Sequence, residues 1–297
     1  MIHKILIISI LFLTAFVINA KAYTSYVVSS NPAQLILQEL CTQKIDITRL
    51  VPQGGSPHTY EPKPSDMAKI SVSTSFIYIS DELEPWVAGI ESENKLELMS
   101  LLPEEFRLKF EEAHTHNHGE DSVDHVHDMV DDPHFWTDPL TLKELLPILA
   151  DTLAKLDPDN AGNYINNSNR FAKRLTTLHR QIEKTLRPVR GKSVMLFHPS
   201  FCYLLKRYGI IYRGSVEINP GIEPSPKDIK NILDIMNKHS ITSMFIEPQL
   251  SEASVENIAE AANAMIYTLD PVGGSKDRRN YVDLMLYNAK TLAKALK

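Results

Sequence analysis

Short apolar runs alternate with segments of helical periodicity along most of the chain. The first run, Tyr23–Ser30, is rich in aromatic and β-branched residues, and Asn31–Leu40 repeats apolar residues at helical spacing. Two more strand-like runs follow, and the helical stretch Pro64–Ile70 lies between them, with Ser65 as its predicted N-cap. An order of strand, helix, strand and helix predicts a parallel α/β sheet.

The middle of the chain has a different pattern. A helical pattern covers Thr141–Leu156, and a second, longer helix is predicted from Pro158 to Leu186. At 1.5 Å per residue this helix would be about 40 Å long, which suits a strut between two lobes. Its apolar stripe consists of Leu175, Leu178, Ile182 and Leu186.

Strands and helices alternate again after Gly191, which predicts a second α/β lobe. The expected organisation is therefore an N-terminal lobe over 23–156, a connecting helix over 157–189 and a C-terminal lobe over 190–297.

The first 22 residues are typical of a secretory signal peptide. A basic start, Met1–Lys4, precedes an apolar run, Ile5–Ile18, and a small-residue cleavage pattern that ends at Ala22. The alternative is an N-terminal membrane anchor, although the run is shorter than the span of about 20 residues that a bilayer needs. We therefore expect a periplasmic protein without stable membrane insertion after cleavage.

Composition excludes some functions. The chain has 297 residues, 43% hydrophobic and 23% charged, which is typical of a globular protein. Its net charge of −6 argues against a nucleic-acid partner. The two cysteines, Cys41 and Cys202, are far apart in sequence, and we expect them to be free, buried thiols.

Four candidate metal ligands follow predicted strands or an ordered segment. They are His58, His134, His198 and Asp270. In open α/β sheets, ligands bind beyond the carboxyl ends of the strands, so two residues from each half could meet in a cleft between lobes. Three imidazoles and one carboxylate can complete a four-coordinate site, and such donors favour zinc, copper, nickel or iron over magnesium or calcium.

A polar segment, residues 113–130, precedes His134. It is rich in acids and carries His114, His116, His118, His125 and His127. Because it has too little apolar surface to pack, it is predicted to be a mobile loop. These histidines would bind metal weakly and raise its concentration near the cleft. The alternative is a solvated linker with incidental histidines.

The ordered set of motifs GGSPHTYEPKPSD, DPHFWTDP, FHPSFCYLLKRYG, EPQLS and LDPVGG resembles the periplasmic metal-binding proteins of ABC importers, and most of all the zinc branch of that solute-binding family. The resemblance implies two Rossmann-like α/β lobes joined by one long backbone helix, with the metal in the cleft between them. It implies His58, His134, His198 and Asp270 as ligands, Zn²⁺ as cargo, and a membrane permease as partner of a monomer. The manganese branch usually carries Glu where His198 stands, so this residue favours zinc.

Several other polar residues are weaker candidates for a role at the metal site. Glu61 and Glu247 are candidates for a supporting role behind the ligands, whereas Asp66 is predicted to favour a helix start and His179 to be solvated. The chain departs from the family at Asp81-Glu82, where an Asn-Gly pair is common after the third strand. This departure could alter the loop beside the ligands.

Two alternative functions remain at this point. A manganese or iron carrier of the same family would share the fold. An exported zinc hydrolase would need an open coordination position, which four protein ligands would close, and no HExxH or Gly-x-Ser-x-Gly motif is present. We therefore expect a carrier and not an enzyme.

Overall fold

The computed structural model describes residues 23–111, 129–217, 224–250 and 253–297. The predicted signal peptide at 1–22 and the predicted auxiliary histidines between 113 and 128 lie outside these ranges.

The N-terminal half contains a four-stranded parallel sheet in the order β2-β1-β3-β4. Its elements are β1 (Ser25–Val28), α1 (Asn31–Leu40), β2 (Asp46–Arg49), α2 (Pro64–Ser71), β3 (Ser75–Tyr78), β4 (Lys95–Glu97) and the short α3 (Leu98–Leu101). β1 and β3 are buried along almost their whole length, as expected for parallel strands covered on both faces.

A small antiparallel hairpin follows. β5 (Lys109–Glu111) pairs with β6 (Met129–Asp131), so the last two residues of the predicted acidic loop belong to a strand. A 3-10 turn (Phe135–Thr137) then leads into α4 (Pro139–Leu156). Asp138 caps this helix by accepting the backbone N–H of Leu140.

The longest helix, α5 (Ala161–Leu186), connects the two halves and begins after a 3-10 turn at Pro158–Asn160. Its buried face carries the predicted apolar stripe, and Phe171 and Tyr164 extend it toward the N-terminal end. One hydrophobic cluster joins Val28 of β1 and Leu178 of α5 to Leu196 in the second half. The long helix therefore packs against the cores of both halves.

The C-terminal half contains a second four-stranded parallel sheet in the order β10-β9-β7-β8. Its elements are β7 (Ser193–Leu196), α6 (Cys202–Tyr208), β8 (Ile211–Ser215), α7 (Pro226–Lys238), β9 (Ser243–Ile246), α8 (Ala253–Ala261), β10 (Met265–Thr268) and α9 (Tyr281–Ala295). Among the described residues, no helix combines the length and the hydrophobicity needed to cross a bilayer.

The two parallel sheets confirm the predicted α/β fold class with two lobes. Both cysteines are free, and Cys202 is buried whereas Cys41 is partly buried. Two local predictions were wrong. The N-cap of α2 is Lys63, because Pro64 takes the first helical position, where proline needs no N–H partner. His179 is partly buried, since it stacks on Tyr208 and is hydrogen-bonded to its hydroxyl at 3.1 Å.

Candidate metal centre

Three histidines from three separate segments converge. The ligand nitrogens of His58, His134 and His198 all lie within 4.8 Å of one another. The ring centroids are 4.9 Å apart for His58 and His198, 5.2 Å for His134 and His198, and 5.7 Å for His58 and His134. Nitrogens bound to one tetrahedral zinc at the usual bond length lie about 3.4 Å apart. Small side-chain rotations would therefore bring the three rings to bonding distance.

His58 lies on the loop between β2 and α2. The neighbouring carbonyl of Pro57 accepts a hydrogen bond from Trp86 Nε1 at 2.8 Å. Burial, and to a smaller extent the nearby His134, lowers the pKa of His58 to about 3. His58 is therefore neutral at pH 7, and an unprotonated imidazole is the form that binds a metal.

His134 is fixed by a carboxylate that sequence analysis missed. Asp132 Oδ1 lies 2.8 Å from His134 Nδ1 and also accepts the backbone N–H of His134 at 2.9 Å. Both side chains are buried. A carboxylate on one ring nitrogen leaves the other nitrogen to face a metal and raises its basicity. The spacing Asp-x-His in a proline-containing turn was the available signal.

His198 follows β7 and is buried. Two residues further along the chain, Ser200 Oγ donates a hydrogen bond to Glu247 Oε1 at 2.5 Å. Burial raises the pKa of Glu247 to about 8, and the charge of Asp270 adds to this effect. Glu247, one of the two predicted supporting residues, is thus hydrogen-bonded to the segment that carries His198. Glu61, the other predicted supporting residue, has an exposed side chain.

Asp270 occupies a different arrangement. It follows β10 and is buried, but its carboxylate is not among the atoms of the histidine cluster in the described part of the chain. Its Oδ2 lies 3.2 Å from Arg278 Nη1. Its Oδ1 accepts the backbone N–H groups of Val272 at 3.0 Å and Gly273 at 2.8 Å. The structure thus brings three of the four predicted ligands together and places the fourth in an ion pair.

The loop after Asp270 is held by the N-terminal half. Asn31 Nδ2 donates to the carbonyl of Val272 at 2.6 Å, and Gln53 Nε2 donates to that of Gly274 at 2.6 Å. Gly274 has φ +94°, a conformation that residues with a side chain rarely adopt. These bonds link the loop after Asp270 to the N-terminal half.

Two α/β lobes and a largely buried cluster of three histidines are the organisation expected of a metal-binding solute receptor. A family model described as zinc-uptake complex component A, periplasmic, matches residues 27–295. The match covers most of the chain, which therefore belongs to this family of transport components.

Individual relatives agree with this assignment. The chain is 27% identical to the high-affinity zinc uptake system protein ZnuA of Yersinia pestis, over 93% of this chain and 92% of that protein. It is 25% identical to the zinc-binding lipoprotein AdcA of Streptococcus pneumoniae strain R6, over 92% of this chain but 56% of that protein. A crystal structure of ZnuA superposes with a TM-score of 0.77 at 27% identity, covering 92% of this chain and 99% of the other.

Proposed function

We propose that this protein captures Zn²⁺ in the periplasm and delivers it to the membrane permease of an ABC-type importer. The observation that carries the proposal is the convergence of three histidines from both halves of the chain, with all ligand nitrogens within 4.8 Å. Imidazole nitrogens in a largely buried setting favour zinc over hard cations such as magnesium. The family match and the zinc-binding relatives support the same cargo.

The proposed inner ligands are His58, His134 and His198, with Asp270 as the fourth. Asp270 Oδ2 lies 3.2 Å from Arg278 Nη1. Asp270 can therefore bind the metal through this oxygen only after the ion pair with Arg278 is broken. Four protein ligands would close the coordination sphere, which suits binding and release more than catalysis. In this proposal residues 1–22 direct export, and the histidines between 113 and 128 bind zinc weakly.

Zinc titration of purified protein tests the proposal. We expect one tight equivalent in the wild-type chain and a large loss of affinity in His58→Ala, His134→Ala and His198→Ala, because each removes an inner-sphere bond. His179→Ala is the matched control, because His179 lies on α5 with Tyr208 as its partner and should leave the titration unchanged.

Competition with manganese separates zinc capture from the alternative of a manganese carrier. If manganese displaces zinc at equal concentration, the cargo assignment is wrong. If all three histidine variants keep the tight equivalent, the site assignment is wrong.

A further inference from the structure

The chain contains two tryptophans, and both donate their indole N–H to the backbone of a proline beside a proposed ligand. Trp86 Nε1 lies 2.8 Å from the carbonyl oxygen of Pro57, which precedes His58. Trp136 Nε1 lies 2.8 Å from the carbonyl oxygen of Pro271, which follows Asp270. Each bond joins segments that are distant in sequence, by 29 residues in the first case and 135 in the second.

Trp86 is itself held firmly. Its ring makes an edge contact with Tyr60, with centroids 5.2 Å apart, and lies 6.2 Å from the ring of Phe76 in β3. Glu84, the N-cap of the short 3-10 helix (Pro85–Gly89) that carries Trp86, has a buried carboxylate that accepts the backbone N–H of Ile79 at 2.7 Å. The indole therefore connects the loop of His58 to residues that pack against β3 of the first sheet.

Trp136 connects both halves of the molecule. It is almost fully buried, and its ring lies 5.3 Å from that of His134. Its backbone carbonyl accepts a hydrogen bond from the hydroxyl of Tyr281, in α9, at 2.6 Å. Through Pro271, this one residue ties the segment of His134 to the loop of Asp270.

Holding a proline carbonyl sets the direction of the adjacent ligand. The carbonyl of Pro57 shares a rigid peptide plane with the N and Cα atoms of His58, so fixing that oxygen orients the backbone from which the imidazole projects. On the other side, the ring of Pro271 locks φ, so fixing its carbonyl also restricts the position of Asp270.

We infer that Trp86 and Trp136 are positioning residues of the metal centre, each holding one proline-flanked ligand loop through its indole N–H. The inference rests on the proposed function, because it takes His58 and Asp270 as ligands. Residues that orient metal ligands without touching the metal change affinity by about 10–100-fold when they are altered.

Trp86→Phe and Trp136→Phe test the inference, because each keeps an apolar ring and removes the N–H. Zinc affinity is measured by competition with a chromophoric chelator, and zinc dissociation by stopped flow, on protein shown to be folded by circular dichroism. We expect affinity to fall about 10-fold or more in each variant, with faster dissociation.

Tyr26→Phe is the matched control. It removes a buried hydrogen bond between the hydroxyls of Tyr26 and Tyr164, 3.1 Å apart, in the core of the first half. A merely structural role of the tryptophans would lower the melting temperature as this control does and leave the affinity of the folded protein unchanged.

A second measurement tests the effect of the indole N–H alone. It also applies if the phenylalanine variants do not fold. Incorporation of benzothienylalanine for tryptophan replaces the N–H by sulfur in a ring of nearly the same shape, and it should weaken zinc binding likewise. Affinities within about twofold of the wild type in the folded tryptophan variants or in this protein, or an equal loss in Tyr26→Phe, would overturn the inference. Failure of the proposed function appears earlier, as a wild-type chain without a tight zinc equivalent.

Discussion

Asp132 Oδ1 lies 2.8 Å from His134 Nδ1, and both side chains are buried. The same oxygen accepts the backbone N–H of His134, so one carboxylate fixes both the ring and the backbone of this residue. The ring nitrogen that remains, Nε2, is the one available to a metal. This pair gives the first prediction.

Asp132→Ala should lower zinc affinity about 10–100-fold without abolishing binding, because it releases the orientation of the ring and keeps all inner ligands. Asp132→Asn should lose less, since its amide oxygen can still accept from Nδ1–H. Competition with a chelator measures both. Asp157→Asn, which alters another buried aspartate bonded to Tyr164, is the control and should leave affinity unchanged. Wild-type affinity in Asp132→Ala would show that the carboxylate does not orient the ligand.

The ion pair between Asp270 and Arg278 gives a second prediction. If Asp270 is the fourth ligand, Arg278 competes with zinc for its Oδ2, 3.2 Å away. Arg278→Met should therefore raise zinc affinity several-fold, because it leaves a buried carboxylate without its cation. Asp270→Asn should lower affinity.

A double-mutant cycle checks this coupling. In the Asp270→Asn variant, which lacks the carboxylate, Arg278→Met should have no further effect on zinc affinity. If Asp270→Asn binds zinc like the wild type, Asp270 is not a ligand and the site has three protein donors.

Sequence periodicity predicted the large features of the fold because they depend on long patterns. The leucine stripe of α5 and the alternation of buried strands with helices each extend over many residues, so single exceptions do not hide them. Shorter elements such as β4, α3 and the β5–β6 hairpin were missed, since three or four residues carry little periodic signal.

The site was predictable in part. The clustering of His58, His134 and His198 could be predicted from their residue type and their places after predicted strands or an ordered segment. The pairing of Asp270 with Arg278 depends on the path of the loop between them, and the indole bonds of the tryptophans depend on contacts between distant segments. No local pattern in the sequence encodes such contacts.

A third prediction concerns Glu84. Burial raises the pKa of its carboxyl to about 7, although hydrogen bonds from Ser30 and the N–H of Ile79 act in the opposite direction. The unfolded chain releases this proton near the ordinary value of 4.5. Between pH 4.5 and pH 7 the folded state therefore binds more protons than the unfolded state. The contribution of Glu84 to stability is complete below pH 4.5 and is lost as pH rises through 7.

Glu84→Gln should remove this dependence, which amounts to roughly 3 kcal/mol over the full range. The amide can accept from Ile79 and donate to the hydroxyl of Ser30. Urea unfolding of zinc-free protein from pH 5 to pH 8.5 measures the effect as a difference from the wild type, which leaves the similar contribution of Glu247 unchanged. Glu105→Gln, at an exposed position, should keep the wild-type slope. An unchanged slope in Glu84→Gln would refute the assignment.

The last prediction concerns the acidic, histidine-rich segment before His134. The strands that flank it pair in register, with Glu111 opposite Met129, so an Asn-Gly turn in place of residues 112–128 should close a two-residue hairpin without disturbing β5 or β6. Because His134 is held by Asp132 and by contacts beyond β6, we expect this variant to keep one tight zinc equivalent and to lose the weak ones. A full-length variant with the five histidines of the segment changed to asparagine separates their effect from that of the acidic residues, and should lose the same weak equivalents. Calorimetric titration of both proteins is the measurement, and zinc uptake should slow mainly when zinc is scarce. If the tight equivalent disappears in a hairpin variant that is still folded, the segment contributes to the main site and its separation from the three-histidine centre is wrong.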